Sequence, residues 1–285
     1  MIALEHVEHI YDAGTELAHA ALSGIDLRIE DGSFIGLIGH TGSGKSTLVQ
    51  HLNGLLTPTS GRILVDGEDI AARGYDRKAL RARIGLVFQY PEHQLFEETI
   101  IKDVCFGPGN LGLPQEEVMT RAGEALSQVG IPKELYDASP FDLSGGQKRR
   151  VAIAGVLAMS PRVLILDEPT AGLDPGGRTE ILGLISGLHE RMGITVILVS
   201  HSMEDVADLA ERIIVMDHGH VAWDGTPVEV FRHYRELEEI GLAAPEVTYI
   251  MRELYAGGLD VDRDAVRMDD AVSSILELAR RTGTI

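Results

Sequence analysis

Short β-rich runs recur along the chain, and their spacing divides it into three stretches. The early runs, Ile25 to Ile29, Ile35 to Gly39, Arg62 to Asp66 and Ile84 to Phe88, read as strands. Three late runs, Val163 to Leu166, Thr195 to Val199 and Ile213 to Met216, are almost wholly apolar. That pattern suits central strands covered on both faces. Helical patterning falls between them, at Lys45 to Leu55 and Arg178 to Met192. Alternation of this kind predicts an α/β fold with a parallel sheet. From about Tyr90 to Ser160 the strand signal disappears, which predicts a helical subdomain inserted into the sheet domain. Gly225-Thr226-Pro227 punctuates the end of a core spanning residues 1–226. Residues 227–285 read as a small helical extension, with apolar spacing at Ile275, Leu276, Leu278 and Ala279 and breaks at Gly241 and Gly257-Gly258. From Val228 onward there are 12 Asp/Glu against 7 Arg, so we expect a folded appendage rather than an acidic disordered tail.

Composition narrows the setting. With 44% hydrophobic and 24% charged residues, the chain reads as an ordinary soluble globular protein. A formal charge of −19 disfavours a general nucleic-acid surface, which relies on clustered Lys and Arg. No apolar stretch approaches the roughly 20 residues of a membrane span. The first residues lack a basic region followed by an apolar core, so we expect no signal peptide. A single cysteine, Cys105, permits no internal disulfide and reads as a small packing residue.

Candidate chemistry begins where an apolar strand meets a helix. Gly39-His40-Thr41-Gly42-Ser43-Gly44-Lys45-Ser46-Thr47 matches G-x-x-x-x-G-K-[ST]. Glycines let the backbone wrap closely enough for successive N–H groups to face phosphate oxygens. The helix that follows adds the positive end of its dipole. Lys45 can reach β- and γ-phosphates, and the Ser46 hydroxyl can ligate Mg²⁺. We therefore expect a nucleoside triphosphate ligand. The late strand Val163 to Leu166 ends in Asp167-Glu168, placing two acids beside that loop in a parallel sheet. Asp167 suits a Mg²⁺ position, directly or through water, and Glu168 can orient an attacking water. Leu143-Ser144-Gly145-Gly146-Gln147 precedes a helix from Lys148 to Met159, and Ser144 alone would serve as its N-cap.

That pentapeptide, lying between the phosphate loop and Asp167-Glu168, resembles the signature of the ATP-binding cassette family, and the resemblance covers about residues 2–226. It implies a phosphate-loop NTPase fold, with a RecA-like parallel core, an antiparallel β subdomain and the inserted helical subdomain. Gln89 then falls where the family places a γ-phosphate and Mg²⁺ sensor, and His201 where it places a γ-phosphate contact. Ala171-Gly172-Leu173-Asp174 matches the loop linking the two active sites of a dimer, and Tyr11 the aromatic that stacks on adenine. The histidines without such context are expected to be ordinary surface or core residues. In this family two cassettes face head to tail, and each ATP lies between the phosphate loop of one and the signature of the other.

A narrower resemblance rests on Gln89 to Thr99, Phe106-Gly107-Pro108, Asn110 to Leu113 and Arg149 to Met159. These stretches are similar to the ATPase subunits of energy-coupling factor importers. Tyr11 to Thr15 and Gln50 to Leu56 are similar to the second of their two ATPase types. Lys148 and Ser160 depart from the usual residues at tolerant positions, and the last thirty or so residues match least. The resemblance implies a peripheral protein on the cytoplasmic face of the cell membrane. It also implies a heterodimer with a second ATPase, a transmembrane coupling subunit and a substrate-capturing membrane subunit. The segment after Gln89 lies where membrane-subunit helices dock, and the C-terminal extension resembles the one through which the two ATPases hold each other. The other readings are a soluble cassette ATPase acting on ribosomes or DNA and a non-catalytic regulatory subunit. Both are disfavoured, by layout and charge and by the intact landmarks respectively.

Overall fold

The computed structural model describes residues 1–283, so Thr284 and Ile285, the end of the expected extension, lie outside the described residues. The strands are β1 (Ile2–Tyr11), β2 (His19–Ile29), β3 (Phe34–Gly39), β4 (Ser60–Val65), β5 (Glu68–Asp69), β6 (Ile84–Val87), β7 (Val163–Asp167), β8 (Thr195–Val199), β9 (Arg212–Asp217) and β10 (His220–Gly225). They form two sheets. One is antiparallel in the order β2-β1-β4-β5, and the other has six strands in the order β10-β9-β3-β8-β7-β6. In the second sheet only β10 runs antiparallel to its neighbour. Every residue of β3, β6 and β8 is buried, which is why these strands carry no charged residue and consist mostly of Val, Ile, Leu and Gly.

The helices are α1 (Lys45–Leu52), α2 (Arg77–Arg83), α3 (Ile100–Asn110), α4 (Gln115–Gln128), α5 (Gly145–Leu157), α6 (Pro175–Met192), α7 (Met203–Leu209), α8 (Pro227–Phe231), α9 (Tyr234–Glu239), α10 (Glu246–Ala256) and α11 (Met268–Arg281). Three of them differ from the sequence expectation at their ends, and α6 does so by starting at Pro175 instead of Arg178, behind the Asp174 cap. α1 stops at Leu52, where Asn53 caps it and Gly54 takes a left-handed φ of 70°. α5 begins at Gly145, not Lys148, because the side chains of Ser144 and Gln147 cap it as a reciprocal pair. Between Tyr90 and Ser160 the structure holds only α3, α4, α5 and short 3₁₀ turns.

Two large cores lie on opposite faces of the six-stranded sheet. One packs the antiparallel sheet and α1 against it, through Leu4, Ile25, Leu48 and Ile35. The other packs helices against it, through Val104, Leu126, Ile153 and Ile185. The extension starts at Thr226, which forms a capping box with Glu229 above Pro227. Its first part joins the helical core through Val230, Phe231 and Leu237. Its last part keeps a small core of its own, Val247, Met251, Val261, Ala265 and Ala271.

Candidate nucleotide site

The phosphate loop links the end of β3 to α1, and two of its glycines have no substitute. A Cβ on Gly39 would sit 2.4 Å from the Met216 carbonyl, and one on Gly44 would sit 2.6 Å from the Ala21 carbonyl, at a φ of 104°. No side chain caps α1 at Gly44. Its first-turn N–H groups are thus left for an anion. The Lys45 ammonium donates to the carbonyls of Gly39 (2.6 Å) and His40 (3.0 Å). Burial pulls its pKa down, against the pull of Glu168 and then Asp167.

β7 carries the acids to the same place. Asp167 is hydrogen-bonded by Ser46. Burial first, then the neighbouring Glu168 charge, pushes the Asp167 carboxyl up, while Ser46, Lys45 and His201 oppose the rise. Glu168 stands at φ 50°, in the left-handed region that few non-glycine residues adopt. Its amide donates to the Val199 carbonyl (3.0 Å), which fixes it to the end of β8. One carboxylate oxygen accepts from the Gln89 amide at 2.8 Å, and the other lies 2.7 Å from His201 Nε2. Three strand ends, those of β6, β7 and β8, thus converge on one carboxylate.

A cavity of about 420 Å³ collects these groups: Thr41 to Thr47, Gln89, Glu168 and His201, with Tyr11, His19 and Ala21 on one wall. The Tyr11 hydroxyl lies 3.2 Å from Thr47 Oγ1, and its ring packs edge-on against His9. Buried His9 in turn meets buried His51. His51 is pushed toward its neutral form, chiefly by burial. His40 stands apart, because its backbone serves Lys45 while its ring turns to Asp217.

The signature residues Ser144, Gly145, Gly146 and Gln147 do not line this cavity, and neither does Asp174. Asp174 caps α6 by accepting from the Gly177 amide (2.8 Å). What joins these segments to the cavity is Arg149, a residue sequence reasoning did not single out. Its side chain is 1% exposed and makes a two-pronged pair with Glu92. It also donates to the carbonyls of Pro169 (2.8 Å) and Ala171 (2.9 Å). One guanidinium therefore connects the signature helix, the segment after Gln89 and the loop after Glu168. Arg149 and Arg150 sit side by side in the sequence, and only packing tells which one is inside. His19 was likewise missed, since nothing local distinguishes it.

Comparison with known proteins identifies the family. The family model described as ABC transporter matches residues 22–171. A Clostridium perfringens energy-coupling factor transporter ATP-binding protein EcfA2 is 55% identical over 280 residues, covering 98% of each chain. The Symbiobacterium thermophilum protein of the same name is 57% identical over 274 residues, covering 96% of this chain and 95% of its own. Among solved structures, cbiO1 from Clostridium perfringens, part of the ABC transporter complex cbiONQ, is 43% identical with a TM-score of 0.73, covering 84% of this chain and 93% of its own. A dimeric ATP-binding cassette in a post-hydrolysis state bound to ADP and Pi is 31% identical with a TM-score of 0.70, covering 80% of this chain and 99% of its own. The chain belongs to the ABC transporter family, and within it to the ATP-binding proteins of energy-coupling factor transporters.

Proposed function

We propose that this chain is the ATP-hydrolysing subunit of an energy-coupling factor importer, turning cassette closure and opening into uptake of a micronutrient. The observation that carries this reading is a half-site. One cavity gathers Lys45, Ser46, Gln89, Glu168 and His201, while the Ser144 to Gln147 anion-binding helix start lies elsewhere. A second cassette would supply the missing half.

Within the cavity Lys45 would leave the Gly39 and His40 carbonyls to meet the β- and γ-phosphates. Tyr11 would stack on the base. Glu168, held between Gln89 and His201, is placed to accept a hydrogen bond from the attacking water and align it with the γ-phosphate. The Ser46 hydroxyl, the Asp167 carboxylate and the Gln89 amide form an oxygen donor set, the kind Mg²⁺ takes. When bound, Mg²⁺ neutralises charge on the β- and γ-phosphates.

Two surfaces support the assembly. An apolar groove of about 520 Å³ runs past Phe96, Phe106, Val156 and Met159, with Lys78 and Arg81 also lining it. Phe96 and Phe106 pack edge to face and are about half exposed. It lies on the segment after Gln89, so a helix of the transmembrane coupling subunit docking there would reach the γ-phosphate sensor. Met268, Val272, Ile275 and Leu276 are exposed on α11 and would meet the second ATPase. Among the described residues no helix is long and apolar enough to cross a membrane, and we place the chain at the cytoplasmic face through these partners.

The direct test is affinity capture of the tagged chain from its own detergent-solubilised membranes. We expect a multi-span membrane protein and a second cassette ATPase. Ribosomal or DNA-associated proteins in their place would sink the transport assignment and leave the ATPase standing.

A further inference from the structure

Beside the phosphate loop, outside the nucleotide cavity, three donors converge. β9 and β10 join through a two-residue turn, His218-Gly219, with φ of 45° and 80°. Both values are positive, as in the tight turns that suit hairpins. The turn leans on the phosphate loop, because the Gly219 amide donates to the Ser43 carbonyl at 3.0 Å. That contact sets Asp217 between two imidazoles. Its Oδ1 lies 2.9 Å from His40 Nε2 and 2.6 Å from His218 Nδ1. The three donor atoms lie within 4.8 Å of one another.

His40 shows what the cluster is suited to. Its Nδ1 lies 2.8 Å from the Thr41 carbonyl oxygen. A carbonyl has no hydrogen to give, so Nδ1 carries the proton. In the neutral ring Nε2 is then a bare lone pair, and it points at an anionic oxygen. Two acceptors at that distance call for a proton or a cation between them. An imidazole whose N–H is held by a backbone carbonyl, and whose other nitrogen faces further donors, is oriented as metal-ligating histidines are. Neither Asp217 nor His218 lines the nucleotide cavity.

We propose that His40, Asp217 and His218 bind a divalent transition-metal ion of the Zn²⁺ class, distinct from the Mg²⁺ that accompanies nucleotide. The ion staples the β9–β10 turn to the phosphate loop. Two imidazoles and a carboxylate suit Zn²⁺, Co²⁺ or Ni²⁺ rather than Mg²⁺, and leave a fourth position for water. Bonds of about 2.0–2.1 Å place tetrahedral donors roughly 3.3 Å apart. Asp217 need therefore move less than about an ångström from each ring, and the exposed His218 ring is free to follow. The ion also bears on nucleotide, because the His40 carbonyl is one of the two that hold Lys45. Fixing His40 fixes that anchor, so metal and ATP affinities are linked reciprocally.

The test titrates Zn²⁺ into the nucleotide-free full chain in millimolar Mg²⁺, followed by calorimetry and by the absorption spectrum of the Co²⁺ form. One equivalent should bind and raise the melting temperature. His218→Ala and Asp217→Asn should each weaken Zn²⁺ binding at least about tenfold, since even outer-shell losses cost that much. His218→Ala should leave ATP affinity unchanged in buffer that contains Mg²⁺ and no Zn²⁺. His6→Ala, which removes a surface His–Asp pair, should leave Zn²⁺ binding unchanged. Absence of saturable binding, or binding that survives both His218→Ala and Asp217→Asn, overturns the proposal.

Discussion

Helices α1 and α5 both begin in glycine-containing sequence, and they treat their first amides in opposite ways. α1 starts after Gly44 with no side chain over its N-terminus. α5 starts after Ser144, whose hydroxyl accepts from the Gln147 amide while the Gln147 side chain accepts from the Ser144 amide. Every helix start exposes unpaired N–H groups. α1 keeps them open toward a cavity that already holds Lys45 and Glu168. α5 binds two of its amides to itself on an exposed surface. In the proposed pair, one anion site would stand ready and the other would be latched by its own cap until a phosphate arrived across the interface. Releasing such a latch costs about 1 kcal/mol, little beside a charge-assisted contact with phosphate.

The largest expected effect tests whether chemistry belongs to the α1 side alone. Glu168→Gln should keep ATP affinity within a few-fold and cut hydrolysis by roughly 10²–10⁴, the usual share of a positioned base. Normal turnover in that variant would remove the reaction from this cavity. The next prediction addresses the link between the two sides. Arg149→Ala strands the Glu92 carboxylate and two carbonyls, so denaturant unfolding should show a loss of about 3–5 kcal/mol. Arg149→Lys should recover only part of it, because an ammonium lacks the planar fork. A loss under about 1 kcal/mol for the alanine variant would separate the two faces.

Ser144→Ala sharpens the contrast on a smaller scale. It should cost about 1 kcal/mol of stability and spare ATP binding by the isolated chain, while weakening ATP-driven pairing with a second cassette. Failure of the isolated chain to bind ATP would merge the two sides into one site. Asp167→Asn concerns the electrostatics of the open side. Because the folded pKa of Asp167 is raised, its stability contribution is present below the ordinary carboxylate range and lost as pH rises through the raised value. Without nucleotide, the asparagine variant should therefore melt higher than the wild type at pH 7, and the gap should close on acidification through that window. A wild type that melts higher at pH 7 would mean Ser46 and Lys45 outweigh burial.

How much of this was readable beforehand depended on what kind of signal each part leaves. β3, β7 and β8 were legible because burial on both faces demands unbroken apolar runs. β10 was not, since its residues alternate between exposed and half-buried positions at a sheet edge. In the phosphate loop the glycine spacing foretold the backbone path, yet it said nothing of where the His40 ring would turn. Asp167-Glu168 was visible as acids ending an apolar strand. The left-handed backbone at Glu168 and its paired hydrogen bonds were not, because they arise from β6 and β8 converging on it. Arg149 was the least legible, since a buried cation in a helix looks like any surface arginine until its three partners, Glu92, Pro169 and Ala171, are assembled.

The position of Arg149 also has a genetic consequence. In the proposed pair, Ser144 serves the partner's nucleotide, while Glu92 and the Pro169 and Ala171 carbonyls belong to the loops that serve this chain's own. A lesion at Arg149 would then damage two sites at once, one of them encoded by a different gene. In cells carrying both alleles, defective copies that still assemble would spoil the partners they occupy. Each assembly holds one copy of this chain, so where partners are limiting uptake should fall in step with the mutant's share of the subunit pool, and the allele would behave as partially dominant.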